Sequence, residues 1–69
     1  MEDKMMTIEE VAKMTALDPK ILSRYRTTGE GPEFIRLGHR TIRYWRSDVV
    51  NWLNANRYRS TSQYEVEEA

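Results

Sequence analysis

TIEEVAKMTALDPKILSRYRTTG, residues 7–29, carries the helix-boundary signals that decide the fold. Its opening, Thr7-Ile8-Glu9-Glu10, fits a capping box. The Thr7 hydroxyl can accept from a free first-turn amide, while Glu10 reaches back to the cap amide. Ile8, Val11 and Ala12 then form an apolar stripe at helical spacing, which predicts a short helix of about two turns ending near Met14 or Thr15. Leu17-Asp18-Pro19 opens a second helix. Asp18 is a good N-cap, and Pro19 at the first helical position loses no needed hydrogen bond. Leu17, just before the cap, packs inward and sets the approach of the chain. Leu22 and Tyr25 share one face, flanked by Ile21, whereas Lys20, Ser23, Arg24 and Thr27 are displayed on the other. Gly29 ends the helix, because it takes the left-handed conformation without penalty.

Downstream, Glu30-Gly31-Pro32 is a connection to two short runs, Phe34-Ile35-Arg36-Leu37 and Thr41-Ile42-Arg43-Tyr44, around Gly38-His39-Arg40. Alternation puts Ile35 and Leu37 on one side of the first strand, and Ile42 and Tyr44 on one side of the second. Arg36 and Arg43 then face away from that core. Two strands alone are marginal in water, so this hairpin must lie against the helices. Ser47-Asp48 caps a last helix, with Asp48 placed to suit the helix dipole. Val49, Trp52 and Leu53 supply its buried face. Trp52, Tyr44 and Tyr25 are the large core pieces, Trp45 is turned away from Tyr44, and Val50 and Phe34 are the apolar residues expected at the surface. The expected fold is α+β: a helix-turn-helix, a two-stranded hairpin wing and a C-terminal helix, together a small winged helix-turn-helix. Residues 1–6, with Met1, Met5 and Met6, are expected to be a flexible lead-in, 7–57 the domain, and 58–69 a flexible acidic tail.

A chain of 69 residues allows one small domain. It has no cysteine and one histidine, so disulfides, a thiolate site and structural zinc are not expected. The N-terminus lacks the pattern of a signal peptide, and no apolar run is long enough to span a membrane, so a cytoplasmic location is expected. The net charge is zero, but its distribution is uneven. Lys20, Arg24, Arg26, Arg36, Arg40, Arg43 and Arg46 against Glu30 and Glu33 give residues 19–46 a balance of +5. Residues 1–18 and 60–69 carry −3 each. A basic middle between acidic ends can steer a polyanion even when the sum is nil. An ordinary segregated surface would have the same pattern.

Two short helices meeting across Thr15-Ala16-Leu17 have the spacing of a helix-turn-helix, whose second helix enters a DNA major groove. Arg24 is the best candidate for a base contact, because its fork matches guanine O6 and N7. Lys20 and Ser23 can read a base edge or hold a phosphate, while Thr27 and Arg26 suit the backbone. Arg36, Arg40 and Arg43, with His39 at the turn, make the hairpin a basic wing suited to a minor groove. Charges on a hairpin edge also discourage strand pairing. His39 has no partner for a metal site. Ser23, Ser47 and Asp48 each have a local explanation, and no base stands beside a nucleophile, so neither catalytic residues nor cofactors are expected.

T-I-E-E-V-A at Thr7–Ala12, G-E-G-P at Gly29–Pro32, I-R-L-G at Ile35–Gly38, I-R-Y at Ile42–Tyr44 and R-S-D-V-V-N-W-L at Arg46–Leu53 follow one another in order. This succession resembles the AlpA-like and excisionase-like family of small prophage and mobile-element proteins, relatives of MerR-type winged helix domains. The resemblance covers about two-thirds of the chain. It implies DNA contacts at Lys20, Ile21, Ser23 and Arg24, a wing at His39, Arg40 and Thr41, and buried positions at Leu22, Tyr25, Leu37, Tyr44, Val49, Trp52 and Leu53. It also implies a role in transcription regulation or in the direction of DNA recombination. The implied partners are double-stranded DNA, further copies on adjacent sites, and integrase or host transcription machinery. Ile21 stands where the family commonly has a small polar residue, and Ser23 where it has an aromatic, so the target sequence cannot be borrowed from a relative. The competing expectation is a protein-interaction module on the same core, supported by the acidic ends and by Val50 and Phe34.

Overall fold

Thr7 begins the first helix of the computed structural model, which describes residues 2–63; Met1 and the acidic end of the tail at 64–69 lie outside the described residues. Helix α1 (Ile8–Thr15) carries the complete capping box. The Glu10 amide donates to Thr7 Oγ1 at 3.2 Å, and the Thr7 amide donates to Glu10 Oε1 at 3.0 Å. The helix stops because Ala16 turns left-handed, at φ +61° and ψ +27°, and the Ala16 and Leu17 amides both donate to the Ala12 carbonyl. Helix α2 (Pro19–Thr28) starts one residue after its Asp18 cap, whose carboxylate accepts from the Lys20 amide at 2.8 Å. It ends at Gly29, left-handed at φ +82°. Both helices have the bounds that their caps and breakers dictate, and they form the helix-turn-helix.

Strand β2 (Ile35–Arg36) and strand β3 (Ile42–Trp45) are antiparallel, with Ile35 opposite Arg43 and Arg36 opposite Ile42. The Leu37 amide donates to the Thr41 carbonyl at 2.8 Å, which closes the turn Gly38-His39-Arg40. Directly opposed residues share a face, so this turn length puts Arg36, Ile42 and Tyr44 on one face, and Ile35 and Arg43 on the other. Tyr44 is fully buried and Ile42 packs on the core, so theirs is the inner face. The expectation that Ile35 and Leu37 share the inner face with Ile42 and Tyr44 is corrected, because that register needs one more residue in the turn. Leu37 is 62% exposed instead of buried.

Two further corrections concern the chain ends of the domain. Met5–Met6, expected in a loose lead-in, is strand β1 and pairs antiparallel with β3, Met5 opposite Trp45 and Met6 opposite Tyr44. The sheet order is therefore β1-β3-β2, with the wing's second strand at its centre. Helix α3 (Arg46–Ala55) follows β3 without a linker, and Trp45 at its cap position makes no side-chain cap bond. The expected Ser47-Asp48 cap is replaced by Asp3, whose carboxylate accepts from the Ser47 amide at 3.0 Å and from the Ser47 hydroxyl. The Arg46 amide donates to the Lys4 carbonyl at 2.8 Å. An N-terminal segment thus satisfies two of the free amides that begin α3, those of Arg46 and Ser47.

Met6, Val11, Ala12, Leu22, Tyr44 and Val49 form the core, with Ile8, Leu17, Ile42 and Leu53 packed against it. Tyr25 and Trp52 are half-buried at its rim, edge to face with centroids 6.1 Å apart. Trp52 Nε1 donates to the Glu30 carbonyl at 2.8 Å, tying α3 to the connection after α2. Gly31 belongs to this tie: a Cβ there would stand 2.9 Å from the Tyr25 Cβ. Phe34 is exposed as expected, whereas Val50 is half-buried.

Candidate nucleic-acid interface

Helix α2 presents a convex face about 15 Å long, its length at 1.5 Å per residue. Lys20, Ser23, Arg24 and Thr27 are exposed on it, while Ile21 is half-buried beside the core residue Leu22. The Arg24 guanidinium lies 6.0 Å from the centroid of the neighbouring Tyr25 ring. His39, Arg40 and Thr41 are exposed at the tip of the wing. Arg36 is exposed and donates from Nε to the Gly38 carbonyl at 3.2 Å, bracing the turn. Arg43 is half-buried and donates from Nη1 to the Ile42 carbonyl at 2.8 Å.

The helix and the wing meet at a polar cleft of about 240 Å³. Ser23 and Arg26 line it from α2, Arg40, Ile42 and Arg43 from the wing, and residues 7–9 from the start of α1. Three arginines from two elements far apart in sequence are therefore brought to one place. Among the described residues the ion pair is Lys4 with Glu10, at 3.1 Å, and no carboxylate neutralises Lys20 or the arginines of α2 and the wing. Arg40, exposed and without a carboxylate partner, and Arg43 beside it give the cleft guanidinium groups that can take phosphate oxygens.

Arg26 is the sequence-derived site residue with a distinct placement. It is half-buried, donates from Nη1 to the Tyr44 hydroxyl at 3.2 Å, and lies over the Phe34 ring. Sequence reasoning missed Tyr44 and Phe34 as partners of that charge, since they are separated from it by many residues and carry no local signal. It missed Asp3 for the same reason, at a separation of 44 residues from Ser47.

The perturbed carboxyls lie outside the basic cleft and are structural. Donation from the Ser47 hydroxyl, and then from the Ser47 amide, holds the Asp3 carboxyl below its ordinary value. The Thr7 amide, and then Lys4, do the same for Glu10. Among the described residues no group of three His, Cys, Asp or Glu could hold a metal ion. No described helix is long and apolar enough to cross a membrane.

A family model described as "Helix-turn-helix domain" matches residues 5–57. No match was found among curated proteins, and none among solved structures. The matched span begins at β1 and ends after α3, so it contains both helices, the wing and the exposed cations of each. The chain belongs to the Helix-turn-helix domain family, a family of DNA-binding regulators.

Proposed function

We propose that the protein binds double-stranded DNA sequence-specifically, with α2 in the major groove and the wing in the adjacent minor groove. Arg24 reads a guanine edge, Lys20, Ile21, Ser23 and Thr27 complete the helix face, and Arg36, His39, Arg40, Thr41 and Arg43 hold backbone or minor groove. The observation that carries this reading is that the exposed cations of α2, Lys20 and Arg24, stand beside a wing whose Arg40 and Arg43 line the cleft against that helix, none of them neutralised by a carboxylate among the described residues. A major groove about 12 Å wide admits one helix and displays a distinct pattern for each base pair. Residues 7–57 form the DNA-binding unit, to which β1 adds a strand.

The likeness to AlpA-like and excisionase-like proteins, relatives of MerR-type domains, supports a phage or mobile-element regulator. It acts on transcription or on the direction of recombination, alongside integrase or host transcription machinery in the cytoplasm. One helix and one wing make a small interface, so further copies on adjacent sites raise the affinity. Selection of bound sites from a random DNA pool, followed by measurement of their spacing and bend, tests the reading. A recurrent motif bound more weakly as salt rises is expected. Recovery of no motif would overturn sequence-specific binding and favour the interaction module.

A further inference from the structure

The bridge from Arg26 to Tyr44 joins the two elements that the DNA-binding reading requires to act together. Arg26 projects from α2, and its Nη1 donates to the Tyr44 hydroxyl at 3.2 Å. Its Cζ lies 5.9 Å from the centroid of the Phe34 ring, a cation–π arrangement. Phe34 leads into β2, and its ring stands 6.4 Å from that of Tyr44, tilted by 56°. Tyr44 is fully buried in β3, the central strand.

Backbone packing between α2 and the sheet is sparse, and α1 is the element that packs broadly on both. The recognition helix and the wing are thus held mainly through a third element, and Arg26 supplies a direct tie between them. A guanidinium engaged by a hydroxyl on one side and a ring on another is held in a fixed orientation. It also keeps the Tyr44 hydroxyl hydrogen-bonded at the edge of the core.

We propose that Arg26 is a positioning residue: through Tyr44 and Phe34 it sets the angle of the wing to α2, and it is not a phosphate ligand. The proposal rests on the DNA-binding reading and departs from the sequence-based expectation that Arg26 holds backbone.

The test compares wild type, Arg26→Met, Arg26→Lys, Tyr44→Phe and the Arg26→Met/Tyr44→Phe pair, with Arg40→Ala as a phosphate-contact control. Amide chemical shifts of residues 38–41 are measured in the free protein, and affinity for the selected DNA site is measured across a salt series. Tyr44 is inaccessible to DNA, so its hydroxyl can act on binding only through Arg26. Arg26→Met and Tyr44→Phe are expected to shift the same wing amides and to weaken binding about threefold to tenfold each, with the pair no weaker than either. The slope of log affinity against log salt stays at the wild-type value in both, whereas Arg40→Ala lowers its magnitude by about 0.9. Arg26→Lys, which keeps the charge and loses the planar fork, behaves like Arg26→Met. A slope lowered by about 0.9 in Arg26→Met, with Tyr44→Phe indistinguishable from wild type, overturns the proposal. Wing amides unmoved in both variants overturn it too, and need no DNA. If wild type selects no site, the DNA-binding reading fails, while the wing shifts still decide whether the bridge positions the wing. Should Tyr44→Phe not fold, Arg26→Met and Arg26→Lys decide between the outcomes.

Discussion

Replacing Ala16 by glycine is expected to make the protein more stable, because Ala16 is an alanine in a glycine conformation. It ends α1 at φ +61° and ψ +27°, where the Cβ of an L-residue crowds the following carbonyl. That conformation costs a non-glycine residue roughly 1–2 kcal/mol. Glycine removes the cost but has more freedom to lose from the unfolded chain, which returns about 0.4–1 kcal/mol. The side chain is exposed, so its removal opens no cavity. The net gain is about 0.5–1 kcal/mol. At about 2.1 cal/mol/K per residue, the 69 residues have an unfolding entropy near 145 cal/mol/K, so the gain raises Tm by about 3–7 °C. Thermal unfolding followed by circular dichroism measures this directly. Ala16→Val, with a branched side chain at positive φ, is expected to lower Tm. An unchanged or reduced Tm in Ala16→Gly would refute the reasoning, since it would mean that the turn between the helices stores no strain.

Arg24→Ala is expected to remove about 1–3 kcal/mol of discrimination between the selected site and random duplex; equal loss on both in competition binding would make Arg24 a phosphate contact. Leu37→Thr is expected to change stability in urea by less than about 0.5 kcal/mol, whereas Leu22→Ala costs several times more, about 2.7–5 kcal/mol. A large loss at Leu37 would contradict its outward register. Asp3 and Glu10 have pKa values lowered from 3.8 and 4.5 in the folded protein, so each contributes stability that is present above those ordinary values and lost as pH falls through the folded ones. Tm should therefore drop on acidification below about pH 5, and the drop should be smaller in Asp3→Asn. Gly31→Ala pushes a Cβ against Tyr25, so it should destabilise the domain and perturb the fluorescence of Trp52, Tyr25's neighbour.

The two helices of the helix-turn-helix were legible because their determinants are local. Thr7 with Glu10, Asp18 with Pro19, and Gly29 each act within one turn of the chain, so residue type and spacing suffice to place the helix ends. The exposed cations of α2 and of the turn were legible for the same reason. The hairpin was visible as two apolar runs, yet its faces were not, since a one-residue difference in turn length exchanges inside for outside and left Leu37 exposed. The short Met5–Met6 pair had too little pattern to announce a strand, and it exists because β3 offers it a free edge.

What the sequence by itself determined, then, was the helix-turn-helix, the presence of a basic wing, and most of the core. The tertiary structure alone decided the register of that wing, the capping of α3 by Asp3 from 44 residues away, and the diversion of Arg26 from solvent to Tyr44 and Phe34. Short-range hydrogen bonds and helical periodicity are written in neighbouring residues. Partners brought together by chain folding are not, because any of several carboxylates or aromatics in the sequence satisfies the same chemistry until the packing selects one.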